Sequence, residues 1–199
     1  MQKTLLAISL AVLAAGCASN KEQGAPDASS QQVVGGASGT LAAQDATFIS
    51  EAAQGGMAEV KEAQLAAKNA ESDAVKQYGQ KLVTDHTKAN QELKQLATSK
   101  GASIPTDIGK HQASCDRLAA LKGREFDQAF KDQAIKNHEE AIRIFEQQTQ
   151  QGSDAELKAF AQKHLPHLRQ HLTMAQQLQV GQAEGTSQTT TESPTTQQK

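Results

Sequence analysis

The chain has 199 residues, a formal net charge of −2, two cysteines, one tyrosine and no tryptophan. That length supports one domain with a core of its own plus tails. The near-neutral charge removes the basic footprint that nucleic-acid binding needs, and a composition rich in alanine and glutamine but poor in aromatics favours helices over a β-sandwich.

Residues 1–16 read as a targeting segment. Lys3 supplies a positive start and "TLLAISLAVLAA" an apolar stretch too short to span a bilayer. The small residues of "LAAGC" resemble the cleavage site of a bacterial lipoprotein signal peptide, which would leave Cys17 as a lipid-modified first residue; Ala14 departs from the Leu, Val or Ile more often found there. The alternative is a general secretory signal cut nearby, with Cys17 lost or left as a free thiol. Ala18 and Ser19 follow without the aspartate of an inner-membrane retention signal, so the expected address is the outer membrane, facing the periplasm. A soluble periplasmic protein is the alternative. Residues 17–40, rich in Gly, Ser, Ala and Gln, then form a flexible linker. With Cys17 acylated, Cys115 cannot make an internal disulfide; it is a small buried apolar residue or a point of intermolecular pairing.

Residues 41–181 are expected to form a four-helix bundle. In the first segment, about 41–68, Phe48, Ile49, Ala52, Ala53, Gly56, Val60 and Ala63 recur at helical spacing. Gly55 and Gly56 should each cost roughly 1 kcal/mol there relative to alanine, which points to close approach of another helix. The second, about 72–100, carries the seam Val75, Tyr78, Leu82, His86, Ala89, Leu93 and Leu96 and stops at Lys100-Gly101. After "ASIPTDI" a shorter helical piece, about 107–121, holds His111 and Cys115. The third long segment, about 123–151, places Phe126, Phe130, Ala134, His138, Ala141 and Phe145 on one face. Ser153 to Glu156 reads as a capping box opening the fourth, about 154–180, with Leu157, Phe160, Ala161, His164, Leu168, His171, Ala175 and Leu178. The architecture is all-α: two helical hairpins joined by a longer connection with a short extra helix. Residues 182–199 are a polar tail expected to be disordered.

His86, His138 and His171 each occupy a seam position where an apolar residue is expected, and Glu59 lies at the edge of the first seam beside Val60. Imidazole and carboxylate together suit zinc, copper, iron or nickel, and bundle cores often hold such sites. A histidine on a seam can equally be part of a hydrogen-bonded network, with Asp85 and Glu139, each adjacent to a seam histidine, as partners. The cluster His164, His167 and His171 is not one site. His164 and His171 stand about 10.5 Å apart along a straight helix, Pro166 interrupts the run, and only His167 and His171 could pair. No Glu-x-x-His occurs, which disfavours di-iron chemistry, and no nucleophile or phosphate-loop motif is present. Catalysis is not expected.

The strings "GGMAEV", "VTDHTKAN", "LATSKG", "GREFDQAF", "NHEEA" and "LPHLRQH", in that order, resemble the domain of unknown function 4142 family, over about 44–180. Its members are described as outer-membrane or periplasmic proteins with a ferritin-like bundle, and the family carries no established activity. The resemblance places Glu59, Asp85, His86, His138, Glu139 and His171 on motif positions and leaves His164 and His167 outside them. Phe130 departs from the tyrosine more usual in the family. A lipid-anchored envelope protein with a structural, binding or stress-related role is the leading expectation. A periplasmic metal-binding or metal-buffering bundle is the alternative.

Overall fold

The computed structural model of the protein describes residues 41–180. The leader, Cys17, the linker and the polar tail lie outside the described residues. Within them the chain forms α1 (Ala43–Asn69), α2 (Asp73–Ser99), α3 (Gln112–Ala119, preceded by a 3-10 turn at Gly109–His111), α4 (Gly123–Gln151) and α5 (Ala155–Gln177). The four long helices make the expected bundle of two hairpins. α3, in the long connection, packs on α1. No helix among the described residues is long and apolar enough to cross a membrane.

The helix boundaries follow local chemistry. Gly101, at φ +69°, takes the left-handed conformation that ends α2, while the Ala102 amide donates back to the Ala97 carbonyl at 2.9 Å. The start of α5 differs from the expected capping box: Asp154 is the cap, its Oδ1 accepting from the amides of Glu156 and Leu157 at 3.0 and 2.9 Å. A carboxylate one residue nearer the helix reaches these amides in place of the Ser153 hydroxyl. α5 continues through Pro166. The glycine expectation also needs revision. A Cβ at Gly56 would collide with the Asn90 side chain of α2, but one at Gly55 would meet nothing nearer than His111 Nε2 at 4.0 Å. The glycine that lets α1 and α2 approach closely is Gly79, where a Cβ would lie 2.7 Å from Ala66 Cβ and 3.0 Å from the Ala63 carbonyl oxygen.

The apolar interior divides into two halves. Phe48, Ile49, Leu93, Phe145, Leu157 and Phe160 fill one end, with Phe48 edge-on to Phe145 at 5.1 Å. Val75, Tyr78, Leu82, Leu118, Phe126 and Phe130 fill the other, where Phe126 stacks on Phe130 at 5.5 Å. On every long helix a buried titratable side chain lies between the halves: Glu59, with Glu62 beside it, between Ala53 and Ala63, His86 between Leu82 and Leu93, His138 between Ala134 and Phe145, His171 between Leu168 and Ala175.

Two buried aspartates tie the hairpins to each other. Asp127 of α4 accepts from the amides of Glu71 and Ser72, at 3.2 and 2.8 Å, in the α1–α2 turn. Asp45 of α1 accepts from Gln148 Nε2 at 2.6 Å and from the amides of Ser153 and Asp154, at 3.2 and 3.0 Å, in the α4–α5 turn. Asp45→Ala removes the acceptor from two backbone amides and a side-chain amide at a buried position, so it is expected to cost about 3 kcal/mol. Urea unfolding checks this as a lower midpoint at unchanged slope; a loss below about 1 kcal/mol would show that water replaces the carboxylate freely.

Candidate metal centre

Each histidine of the middle layer is delivered by a different helix because each holds a seam position of its own amphipathic stripe. His138 and His171 are 0% and 1% exposed, and His86 6%. Their ring centroids form a nearly equilateral triangle, with separations of 5.5 Å (His86–His138), 5.3 Å (His86–His171) and 5.4 Å (His138–His171). Each ring offers one nitrogen, and these nitrogens all lie within 4.8 Å of one another. Three imidazoles at this spacing are a donor set that one ion can draw together, since metal–nitrogen bonds are about 2.0–2.1 Å long.

The outer nitrogens are engaged. His138 Nδ1 donates to the Ala134 carbonyl at 2.8 Å, which leaves Nε2 as the bare lone pair. His171 Nε2 lies 2.9 Å from Asp85 Oδ2, and Lys81 holds the same carboxylate oxygen at 2.8 Å. The bonds from Lys81 and His171 outweigh burial and hold the Asp85 carboxyl below its ordinary range, so His171 donates through Nε2 and keeps Nδ1 free. His86 Nδ1 stands 3.2 Å from Glu59 Oε2, and Glu59 Oε1 is 3.4 Å from His138 Nδ1. Four of the buried side-chain atoms with no hydrogen-bond partner belong to this layer: His86 Nε2, His138 Nε2, His171 Nδ1 and Glu59 Oε1.

Burial sets the protonation states. It pushes His138 down to about 4 and His86 well below the ordinary imidazole range, and it lowers His171 in spite of Asp85. All three rings are therefore neutral at pH 7, the form that ligates metal. Burial, reinforced by the nearby Glu62 carboxyl, raises Glu59 to about 8. A cation at His86 Nε2 would favour a proton on His86 Nδ1 and an ionised Glu59, the carboxylate–histidine–metal arrangement in which an outer partner orients the ligand.

The structure brings together His86, His138, His171, Glu59 and Asp85, with the two carboxylates touching the outer nitrogens. Glu139 does not join them. It is exposed, because one step along a helix turns the side chain about 100° away from its inward-facing neighbour, His138. The pairing of His167 with His171 also fails: His167 is exposed, and His164 is half-buried with Nε2 3.2 Å from Glu92 Oε2. Two supporting groups escaped the sequence reading. The Tyr78 hydroxyl donates to the His171 carbonyl at 3.1 Å. Glu62 is 2% exposed and accepts from Ser114 Oγ and Asn137 Nδ2, each at 2.6 Å. The i,i+3 spacing of Glu59 and Glu62 was the available signal.

A family model described as a domain of unknown function, DUF4142, matches residues 30–178. No curated protein matches the chain. Among solved structures, the fold is similar to a DUF305 fragment from Deinococcus radiodurans, at 12% identity and a TM-score of 0.62, covering 69% of this chain and 96% of that one. A DUF305 protein from Streptomyces coelicolor aligns at 10% identity and a TM-score of 0.58, over 66% and 89%. CopM in its Cu(II)-bound form aligns at 18% identity and a TM-score of 0.58, over 67% and 93%; its Cu(I)- and Ag-bound forms align at 0.56. At these identities the likeness is one of fold.

Proposed function

We propose that this chain, which belongs to the DUF4142 family, holds one transition-metal ion in the bacterial envelope on His86, His138 and His171. Glu59 and Asp85 serve as outer partners that fix the rings. The observation that carries this reading is a set of three buried histidines, one per helix, each with a ring nitrogen that has no hydrogen-bond partner and each offering a nitrogen within 4.8 Å of the other two. Unpaired polar atoms in a core cost about 1–3 kcal/mol each, and a purely structural network would have given them acceptors or donors. Copper is the first candidate and zinc the second: nitrogen donors suit both, and the divalent series peaks at copper. The solved bundles of similar fold that carry Cu and Ag support the choice without deciding it. A binding or buffering role fits better than catalysis, because among the described residues no hydroxyl or thiol is hydrogen-bonded to a ring nitrogen of the layer.

The envelope location belongs to the same reading. A lipid on Cys17 and the linker to residue 40 would hold the bundle at the outer membrane, facing the periplasm; Cys17→Ser should then leave the protein unacylated and in the soluble fraction.

The direct check uses the full mature chain without an affinity tag, dialysed against Cu(II) or Zn(II) and analysed for metal and for melting. One ion per chain is expected, with a stabilisation near 4 kcal/mol at a free metal concentration about 1,000 times Kd. Sub-stoichiometric metal with an unchanged melt would defeat the reading.

A further inference from the structure

The histidine layer is closed on one side and open on the other. Toward Phe145 and Phe160 the neighbouring positions are small: Gly55 on α1, Ala89 on α2, Ala141 on α4. They do not fill the space between the helices, and a cavity of about 430 Å³ results. That is within the range of small-molecule sites, about 300–1,000 Å³. Leu93, Ile144, Phe145, Phe160 and Leu168 supply its apolar walls. Glu59, His86 and His171 also line it, whereas His138 does not. Three of the unpartnered buried atoms, Glu59 Oε1, His86 Nε2 and His171 Nδ1, thus belong to residues of its lining. Of the cavity's three lysines, Lys163 pairs with Glu92 at 2.8 Å and Lys110 with Glu140, while Lys88 is exposed.

We infer that this cavity receives a small amphiphile whose nitrogen or thioether head takes the coordination position the three histidines leave open, and whose apolar body lies against Leu93, Phe145 and Phe160. The inference rests on the metal reading above. Three protein ligands leave at least one position of a four-coordinate ion available, and Glu59 and Asp85 touch outer ring nitrogens, so neither carboxylate occupies it in this arrangement. Apolar walls of this extent work against a strongly hydrated head.

The test starts from protein carrying one Cu(II) per chain and titrates it with imidazole and with 4-phenylimidazole, following the visible absorption and the electron paramagnetic resonance spectrum of the copper. 4-Phenylimidazole is expected to bind at least about tenfold more tightly, since its ring buries apolar surface. Gly55→Leu projects into the cavity from a position with room for a side chain; it should keep the copper and abolish the preference for the phenyl compound. Ala89→Leu is the second variant, read in the same way. Equal affinities for the two compounds, a preference surviving in both variants, or loss of copper from both variants would overturn the inference with the metal reading intact. Failure of the unaltered protein to load copper would overturn the metal reading itself, and this one with it.

Discussion

His138→Leu is expected to lower metal affinity by more than about 100-fold while raising the stability of the metal-free protein by about 1 kcal/mol. The first effect follows from removing one of three donors, since loss of an outer partner alone costs 10–100-fold. The second follows from the environment: His138 is 0% exposed and its Nε2 has no partner. An apolar side chain of similar size removes that unpaired atom, worth about 1–3 kcal/mol, against the loss of one modest bond to the Ala134 carbonyl. A histidine kept for structure gives the opposite pattern, with a weaker fold and no change in any metal response. Melting curves of the parent and variant, with and without Cu(II), separate the two. A variant that melts lower without metal, yet is still stabilised by it, would refute the assignment of His138 as a ligand.

Without metal, stability is expected to peak near pH 7 and to fall on both sides. Below 6.5, histidines of the unfolded chain take up protons that His86, His138 and His171 refuse in the fold, with half-buried His164 and His111 adding to the effect. The unfolded state then binds more protons, so stability drops as pH falls, continuing to about 4 for His138. Glu59 acts with the opposite sign. Its folded value of about 8 lies above the ordinary carboxyl value of 4.5, so between these limits the folded state holds a proton that the unfolded state has released, and stability drops as pH rises. Glu62 is raised by burial in the same direction. Between 4.5 and 6.5 several histidines outweigh these carboxyls; above about 7 the histidines of the unfolded chain are largely neutral as well, and the carboxyls dominate. From pH 7 to 8 the loss due to Glu59 is on the order of 1 kcal/mol, at no more than about 1.4 kcal/mol per pH unit. Glu59→Gln should flatten this alkaline limb and leave the acid limb in place. Urea titrations at pH 5.5, 7 and 8 provide the check, and a parent protein more stable at pH 8 than at 7 would contradict it.

Much of the bundle was legible because three- and four-residue spacing survives along each helix. The same periodicity picked out His86, His138 and His171 as polar residues in apolar register. It placed Glu59 only at the edge beside Val60, yet Glu59 is 4% exposed and Val60 is half-buried. The reason is that α1 packs against α2, α3 and α4 and so buries a wider arc than one partner would require. Ala89 and Ala141 read as ordinary core positions but are only half-buried. A run of residues does not reveal whether small side chains let helices touch or leave a hollow. The ties made by Asp45 and Asp127 were invisible for another reason. Their partners are mostly backbone amides, which every residue but proline carries, so no side-chain pattern marks them.

Those reciprocal ties have a consequence for how the molecule comes apart. Each hairpin bends at a corner whose bare amides are quenched only by an acid belonging to its neighbour, so neither half is complete when excised. Separate expression of 41–101 and 121–180 should yield two disordered peptides that gain helix only when mixed. Prying the halves apart to admit a bulky guest would break both clasps at once, which leaves whatever enters the interior to pass through gaps between side chains.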